Sequence, residues 1–162
     1  MTALASRVIA AATARSRSIA VAESLTGGLV LAALVDVPGA SLVLRGGVVA
    51  YDTALKHSLL GVDAELLAAR GAVDPAVAIG MAEGARLAAA VGGAPADVAV
   101  STTGVAGPEP QDGRPVGLVF IGVASERGSS ARELRLRGAR ASIRAQAATA
   151  ALEALLEAIE AG

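Results

Sequence analysis

Two apolar runs, Ser-Ile-Ala-Val-Ala at residues 18–22 and Asp-Val-Ala-Val-Ser-Thr at 97–102, each break directly into a glycine-rich turn. That repeated arrangement constrains the fold more than any other feature of the chain. A short run rich in Val and Ile, bounded by glycine and polar residues, reads as a buried strand. The first turn, Glu-Ser-Leu-Thr-Gly-Gly at 23–28, leads into an apolar helix predicted over 29–35. The second starts at Thr103 and continues as a polar loop to Pro115. If the two strands are parallel neighbours, both turns lie at one edge of the sheet, where open α/β sheets bind ligands.

The remaining segments supply layers around such a sheet. Leu4, Val8, Ile9 and Ala12 recur at helical spacing in 2–15. Pro38 and Gly39 end the second helix, 42–51 is rich in β-formers, and 52–60 reads as a helix capped by Asp52 or Thr53. Asp74 and Pro75 open a helix that Gly92 and Gly93 close, with proline in the first turn where a missing amide donor costs little. Residues 116–124 and 132–136 predict a hairpin around 128–130, and 141–161 a long terminal helix. The order implies one domain over 1–162, an α/β chain folded as a three-layer α/β/α sandwich with a mixed, mostly parallel central sheet. Tyr51 and Phe120 are the only aromatic rings, so a hydrophobic fraction of 54% must pack as small aliphatics, which suits helices laid on a sheet.

Composition removes several function classes. Without cysteine there are no disulfides, thiolate nucleophiles or thiolate metal sites, and with one histidine no zinc site is predicted. No uncharged apolar run reaches eighteen residues, and Arg7, Arg15, Arg17 and Glu23 interrupt the N-terminal region, so the chain is expected to be cytoplasmic and off the membrane. A formal charge of −1 and the scarcity of aromatics argue against nucleic acid as a partner. Six arginines from Arg127 to Arg144 face only Glu133 within that stretch, which fits either an anionic ligand or a solvated surface. Alanine-rich helices suit tight packing within or between subunits, and a homo-oligomer is expected.

The turn at 23–28 places small residues where helix N-terminal amides can face an anion such as phosphate; an ordinary capped turn has the same spacing. Ser41, Tyr51 and Lys56 follow one another around the next predicted strand. Serine needs a base, and lysine serves only when burial or cationic neighbours lower its pKa. Lys56 is the only lysine and every other cationic side chain is arginine, which leaves lysine, histidine or a carboxylate as the base. His57 is discounted because adjacent helical residues point about 100° apart. Glu153 and Glu157, one turn apart on the terminal helix, fit a solvated face.

Four blocks at 22–28, 46–62, 101–108 and 115–119, in this order, resemble the CinA C-terminal family, also called the PncC-type nicotinamide mononucleotide deamidases, over nearly the whole chain. The resemblance implies a stand-alone amidohydrolase that converts the nicotinamide carboxamide of its nucleotide substrate to the carboxylate and ammonia, with no cofactor and no metal. In that picture Ser41 attacks the amide carbon, Lys56 accepts its proton and Tyr51 helps relay it. Ser24, Thr26, Gly27, Gly28, Thr103, Gly104, Gly107 and Arg140 are expected to bind substrate, the 24–28 turn cradling the phosphate with Arg140 or Arg144. A nucleotide-binding module of the same fold without catalysis is the alternative. Leu25 stands where the family commonly has cysteine, Ala139 replaces an aspartate before the last helix, and residues 109–113 replace a glycine-rich stretch.

Overall fold

A computed structural model describes residues 1–162. The chain runs α1 (Thr2–Ala14), β1 (Ile19–Glu23), α2 (Leu29–Val35), a 3-10 turn (Ala40–Leu42), β2 (Leu44–Val49), α3 (Thr53–Ser58), α4 (Ala64–Arg70), α5 (Pro75–Ala88), β3 (Val98–Gly104), β4 (Leu118–Ser125), β5 (Gly128–Arg135) and α6 (Arg140–Glu160). The five strands form one sheet in the order β2-β1-β3-β4-β5. β2, β1 and β3 are parallel, while β4 and β5 continue the sheet antiparallel. Ile19 pairs with Val98 and Glu23 with Thr102, so β1 and β3 end level with each other and both glycine-rich turns leave the same edge.

Side chains alternate across the strands with a period of two, and each face buries a different kind of residue. Ile19 and Val21 of β1, Val98 and Val100 of β3, and Val119 and Ile121 of β4 join α1, α2 and α6 in the larger core. The other face carries Ala20, Ala22 and Ala99, and α5 packs on it. Small residues let α5 come close. A methyl group added at Gly122 of β4 would stand 2.2 Å from the Ala78 carbonyl oxygen of α5, and one at Gly84 of α5 would stand 1.9 Å from the Leu60 carbonyl oxygen. The alanine-rich composition is therefore the condition for this close layer, and Gly84 seats the segment that follows α3.

Caps fall where the sequence places them: the Asp52 carboxylate accepts from the Ala54 amide and Asp74 from Ala76, with Pro75 at the head of α5. Four details differ from expectation. β2 is shorter than 42–51, because the chain turns through Ala40–Leu42 first. α4 was not expected; Asp63 caps it and Gly71, at φ 73°, ends it. β3 extends to Gly104, which makes Thr103 a strand residue. The hairpin turns at Glu126 and Arg127, because Ser125 pairs with Gly128 and β5 starts there. No helix is long and apolar enough to cross a membrane. The arginine run divides: Arg132 and Arg135 pair with Glu157 and Glu133 at the exposed edge, whereas Arg140 and Arg144 turn toward the β1 and β3 ends.

Candidate active site

A cavity opens at the edge where β1 and β3 end. It encloses about 600 Å³ of empty space with its open side included. Ser24 and Leu25 from the end of β1, Tyr51 and Lys56 around the start of α3, Thr103 to Gly107 from the end of β3, and Arg140 at the head of α6 all contribute to its wall. Parallel strands deliver three of these segments to one edge, which is the physical reason distant blocks of sequence meet here.

Lys56 is the centre of the arrangement. Its side chain is 1% exposed, and its Nζ donates to the Ala50 carbonyl oxygen at 2.8 Å and to Ser24 Oγ at 3.1 Å. Burial disfavours the ammonium and pulls the pKa from 10.5 down to about 8, against an opposing pull from the Asp52 carboxylate. Roughly a tenth of Lys56 is then neutral at pH 7 and can accept a proton. Ser24 is fixed in turn, since its amide donates to the Thr102 carbonyl oxygen at 3.0 Å. A serine hydroxyl held against a buried lysine of lowered pKa is the pairing that activates a serine nucleophile.

Ser41 is not part of this site, and its expected role is corrected. It lies exposed in the 3-10 turn before β2, beside Val37, Pro38 and Leu44, at the opposite edge of the sheet. β2 carries the chain about 20 Å from that edge before Tyr51 and Lys56 are reached, at roughly 3.3 Å per residue. The serine that meets Lys56 is Ser24, expected only as a binding residue.

Tyr51 lines the cavity but makes no hydrogen bond to the pair. It is 58% exposed, and its hydroxyl accepts from Arg140 Nη2 at 2.7 Å, so the expected relay to Lys56 has no hydrogen bond to run through. Arg140 also donates from Nη1 to the Gly107 carbonyl oxygen at 2.6 Å, tying the start of α3 to the loop after β3. It holds this position although Ala139 gives α6 no side-chain cap. Thr103 is buried and donates to the Ala72 carbonyl oxygen at 2.7 Å; its hydroxyl proton is committed to the wall.

The phosphate cradle expected at 23–28 is also corrected, because the protein fills it with its own carboxylate. Glu23, 1% exposed at the end of β1, accepts from the amides of Gly28 (2.8 Å), Val30 (3.2 Å) and Leu31 (2.8 Å) at the head of α2. Those donors are no longer open to a substrate anion. Thr26 is buried against Thr102, its Oγ1 2.7 Å away, and the Gly27 amide donates to the Ser24 carbonyl oxygen. Arg144 holds the carbonyl oxygens of Leu25 and Thr26 at 2.9 and 2.8 Å, which makes it a clamp on the turn. Thr26, Gly27 and Gly28 therefore support Ser24 from behind, while Ser24, Thr103, Gly104, Gly107 and Arg140 line the cavity. Glu109 and Gln111, which sequence reasoning did not place in the site, line it too. Leu25, Ala106 and Gly107 line the wall, and their backbone amides make no hydrogen bond within the chain.

The family model described as the CinA C-terminal domain matches residues 1–159. The chain belongs to the CinA C-terminal domain family. A CinA-like protein of Frankia casuarinae is 50% identical over 141 residues, covering 86% of this chain and 31% of the relative. One from Anaeromyxobacter sp. (strain K) is 48% identical over 151 residues, covering 91% and 35%. The chain thus spans about a third of the length of these curated relatives. Among solved structures, a competence-damaged protein (CinA) superfamily protein from Klebsiella pneumoniae superposes with a TM-score of 0.92 at 33% identity, covering 99% of this chain and 98% of that one. The competence/damage inducible protein CihA of Agrobacterium tumefaciens gives 0.89 at 36% identity, with 98% and 94% covered. The CinA fold is thus common to these chains and this one.

Proposed function

We propose that this CinA-family chain is a serine amidohydrolase acting on nicotinamide mononucleotide, with Ser24 as nucleophile and Lys56 as base. The observation that carries the reading is the 3.1 Å contact between Lys56 Nζ and Ser24 Oγ, made by a buried lysine whose pKa is pulled down to about 8. The resemblance of the sequence to pyridine-nucleotide deamidases supplies the substrate.

The chemistry follows from that pair. Neutral Lys56 takes the proton from Ser24 Oγ as the oxygen bonds to the carboxamide carbon, and the carbonyl π electrons move onto oxygen. Unengaged amides of Leu25, Ala106 and Gly107 are the donors on the cavity wall for that oxyanion. Such donors typically contribute a hundredfold or more in rate. Collapse breaks the carbon–nitrogen bond, and the Lys56 ammonium returns a proton to the nitrogen, which leaves as ammonia. Water then attacks the ester, Lys56 takes one of its protons and gives it back to Ser24 Oγ, and the acid formed loses its remaining proton to solvent and departs as the carboxylate. The bond from Lys56 to the Ala50 carbonyl oxygen keeps Nζ aimed at Ser24 through both halves.

The ester intermediate provides the test. Wild-type protein mixed with nicotinamide mononucleotide is quenched in acid within the first turnover, digested and analysed by peptide mass spectrometry. The acyl adduct is expected on the peptide containing Ser24. Ammonia release with the adduct on Ser41, or with no adduct under conditions where deacylation limits turnover, would contradict the mechanism.

A further inference from the structure

We propose that Glu109 makes this cavity selective for a zwitterionic ligand, holding a cationic ring while Arg140 faces the ligand's anionic group; the inference deepens the pyridine-nucleotide reading and rests on it. Three charged side chains line the cavity: Lys56, Arg140 and Glu109. Arg140 hydrogen-bonds only uncharged acceptors, the Gly107 carbonyl oxygen and the Tyr51 hydroxyl. Glu109 is exposed at the cavity rim, and its carboxylate makes no hydrogen bond or ion pair within the chain. With Lys56 in its neutral base form, the cavity keeps one charge of each sign, Arg140 and Glu109, without an ion-pair partner, and complementarity then calls for a ligand that carries both.

The carboxylate is also presented on a restrained segment. Glu109 stands between Pro108 and Pro110. The first proline fixes its own φ, and the second confines Glu109 to extended backbone. Beyond it, Gln111 and Arg114 bridge through both backbone bonds, at 3.2 and 2.8 Å. Arg114 reaches the buried Asp74 carboxylate at 3.7 Å, with Arg70 at 2.9 Å on the same oxygen. Arg140 holds the other end at Gly107. A loop pinned at both ends loses little freedom when it meets a ligand. A cationic ring next to Lys56 also disfavours the ammonium, so the same charge that Glu109 selects favours the base form.

The test separates recognition from turnover. Affinities for nicotinamide mononucleotide, whose ring is cationic, and for its reduced dihydro form, whose ring is neutral with the same phosphate, are measured by calorimetry in a Ser24→Ala background. The series is then repeated with Glu109→Gln and Glu109→Asp. Glu109→Gln is expected to weaken the oxidised nucleotide about tenfold and leave the reduced one within about twofold, with Glu109→Asp restoring part of the difference and 0.5 M salt shrinking it. Equal weakening of both ligands, no weakening of either, or no binding of either overturns the role given to Glu109. Wild-type ammonia release is scored separately. Turnover with no Glu109-dependent difference removes only this inference, whereas Glu109-dependent binding without ammonia removes the hydrolase reading and leaves this one standing.

Discussion

If burial sets the pKa of Lys56, the lysine must also leave its mark on stability. In the unfolded chain its pKa is 10.5 and in the native one about 8. Between those values the native state holds fewer protons than the unfolded state, so stability rises with pH through that window, and below about pH 8 the full penalty of a buried ammonium is present. A gap of about 2.5 pH units corresponds to about 3 kcal/mol, of which roughly 2.5 kcal/mol is recovered between pH 7 and pH 10. Lys56→Met keeps an unbranched stem and removes the charge. Every other titrating group is common to both proteins, so subtracting their unfolding free energies isolates Lys56. Urea unfolding followed by far-ultraviolet circular dichroism suits a chain without tryptophan. The wild-type minus Lys56→Met difference should climb by roughly 2.5 kcal/mol from pH 7 to pH 10. A difference flat to within about 0.5 kcal/mol across that range refutes the reasoning, because it would mean that Lys56 titrates in the folded protein as it does in water.

The same group sets the pH dependence of turnover: kcat/KM for nicotinamide mononucleotide should rise about tenfold per pH unit on the acid side and level off near pH 8. Asp52→Asn keeps a capping side chain on α3 and removes the charge that raises the Lys56 pKa, so the acid limb should move to lower pH; a limb that stays in place would show that Asp52 does not act on Lys56. Glu23→Gln leaves amides of Gly28, Val30 and Leu31 facing an amide group in place of a carboxylate, and should cost about 2 kcal/mol by urea unfolding, with loss under 0.5 kcal/mol counting against the cap. Gly84→Ala drives a methyl into the Leu60 carbonyl oxygen and should cost at least about 2 kcal/mol, read as a lowered melting temperature.

The strands and turns that build the site were legible in the sequence because their signals are local. Residues 18–22 and 97–102 end in glycine-rich turns, and pairing them in parallel brings Ser24 and Thr103 to one edge, as the register of β1 and β3 shows. α4 carried signals of the same kind, Asp63 and Glu65 at its head and Arg70 and Gly71 at its end. Ser41 was misplaced for a reason also present in the sequence: a predicted strand separates it from Lys56, and the two ends of a strand lie at opposite edges of a sheet. Proximity along the chain stood in for proximity in space. Glu23 and Glu109 are different. The first occupies the helix terminus that an anion would have used, and the second reaches the cavity only through the course of the loop after β3, so their roles depend on three-dimensional paths that no residue spacing encodes.

The central claim, that Ser24 and Lys56 form the reacting pair, is tested most directly by steady-state ammonia release from nicotinamide mononucleotide in wild type, Ser24→Ala and Ser41→Ala, each shown to be folded by circular dichroism. Wild type should turn over, Ser24→Ala should fall by at least about a thousandfold, and Ser41→Ala should stay within about twofold of wild type. Ser24→Ala that keeps near wild-type turnover, or Ser41→Ala that abolishes it, would contradict the assignment.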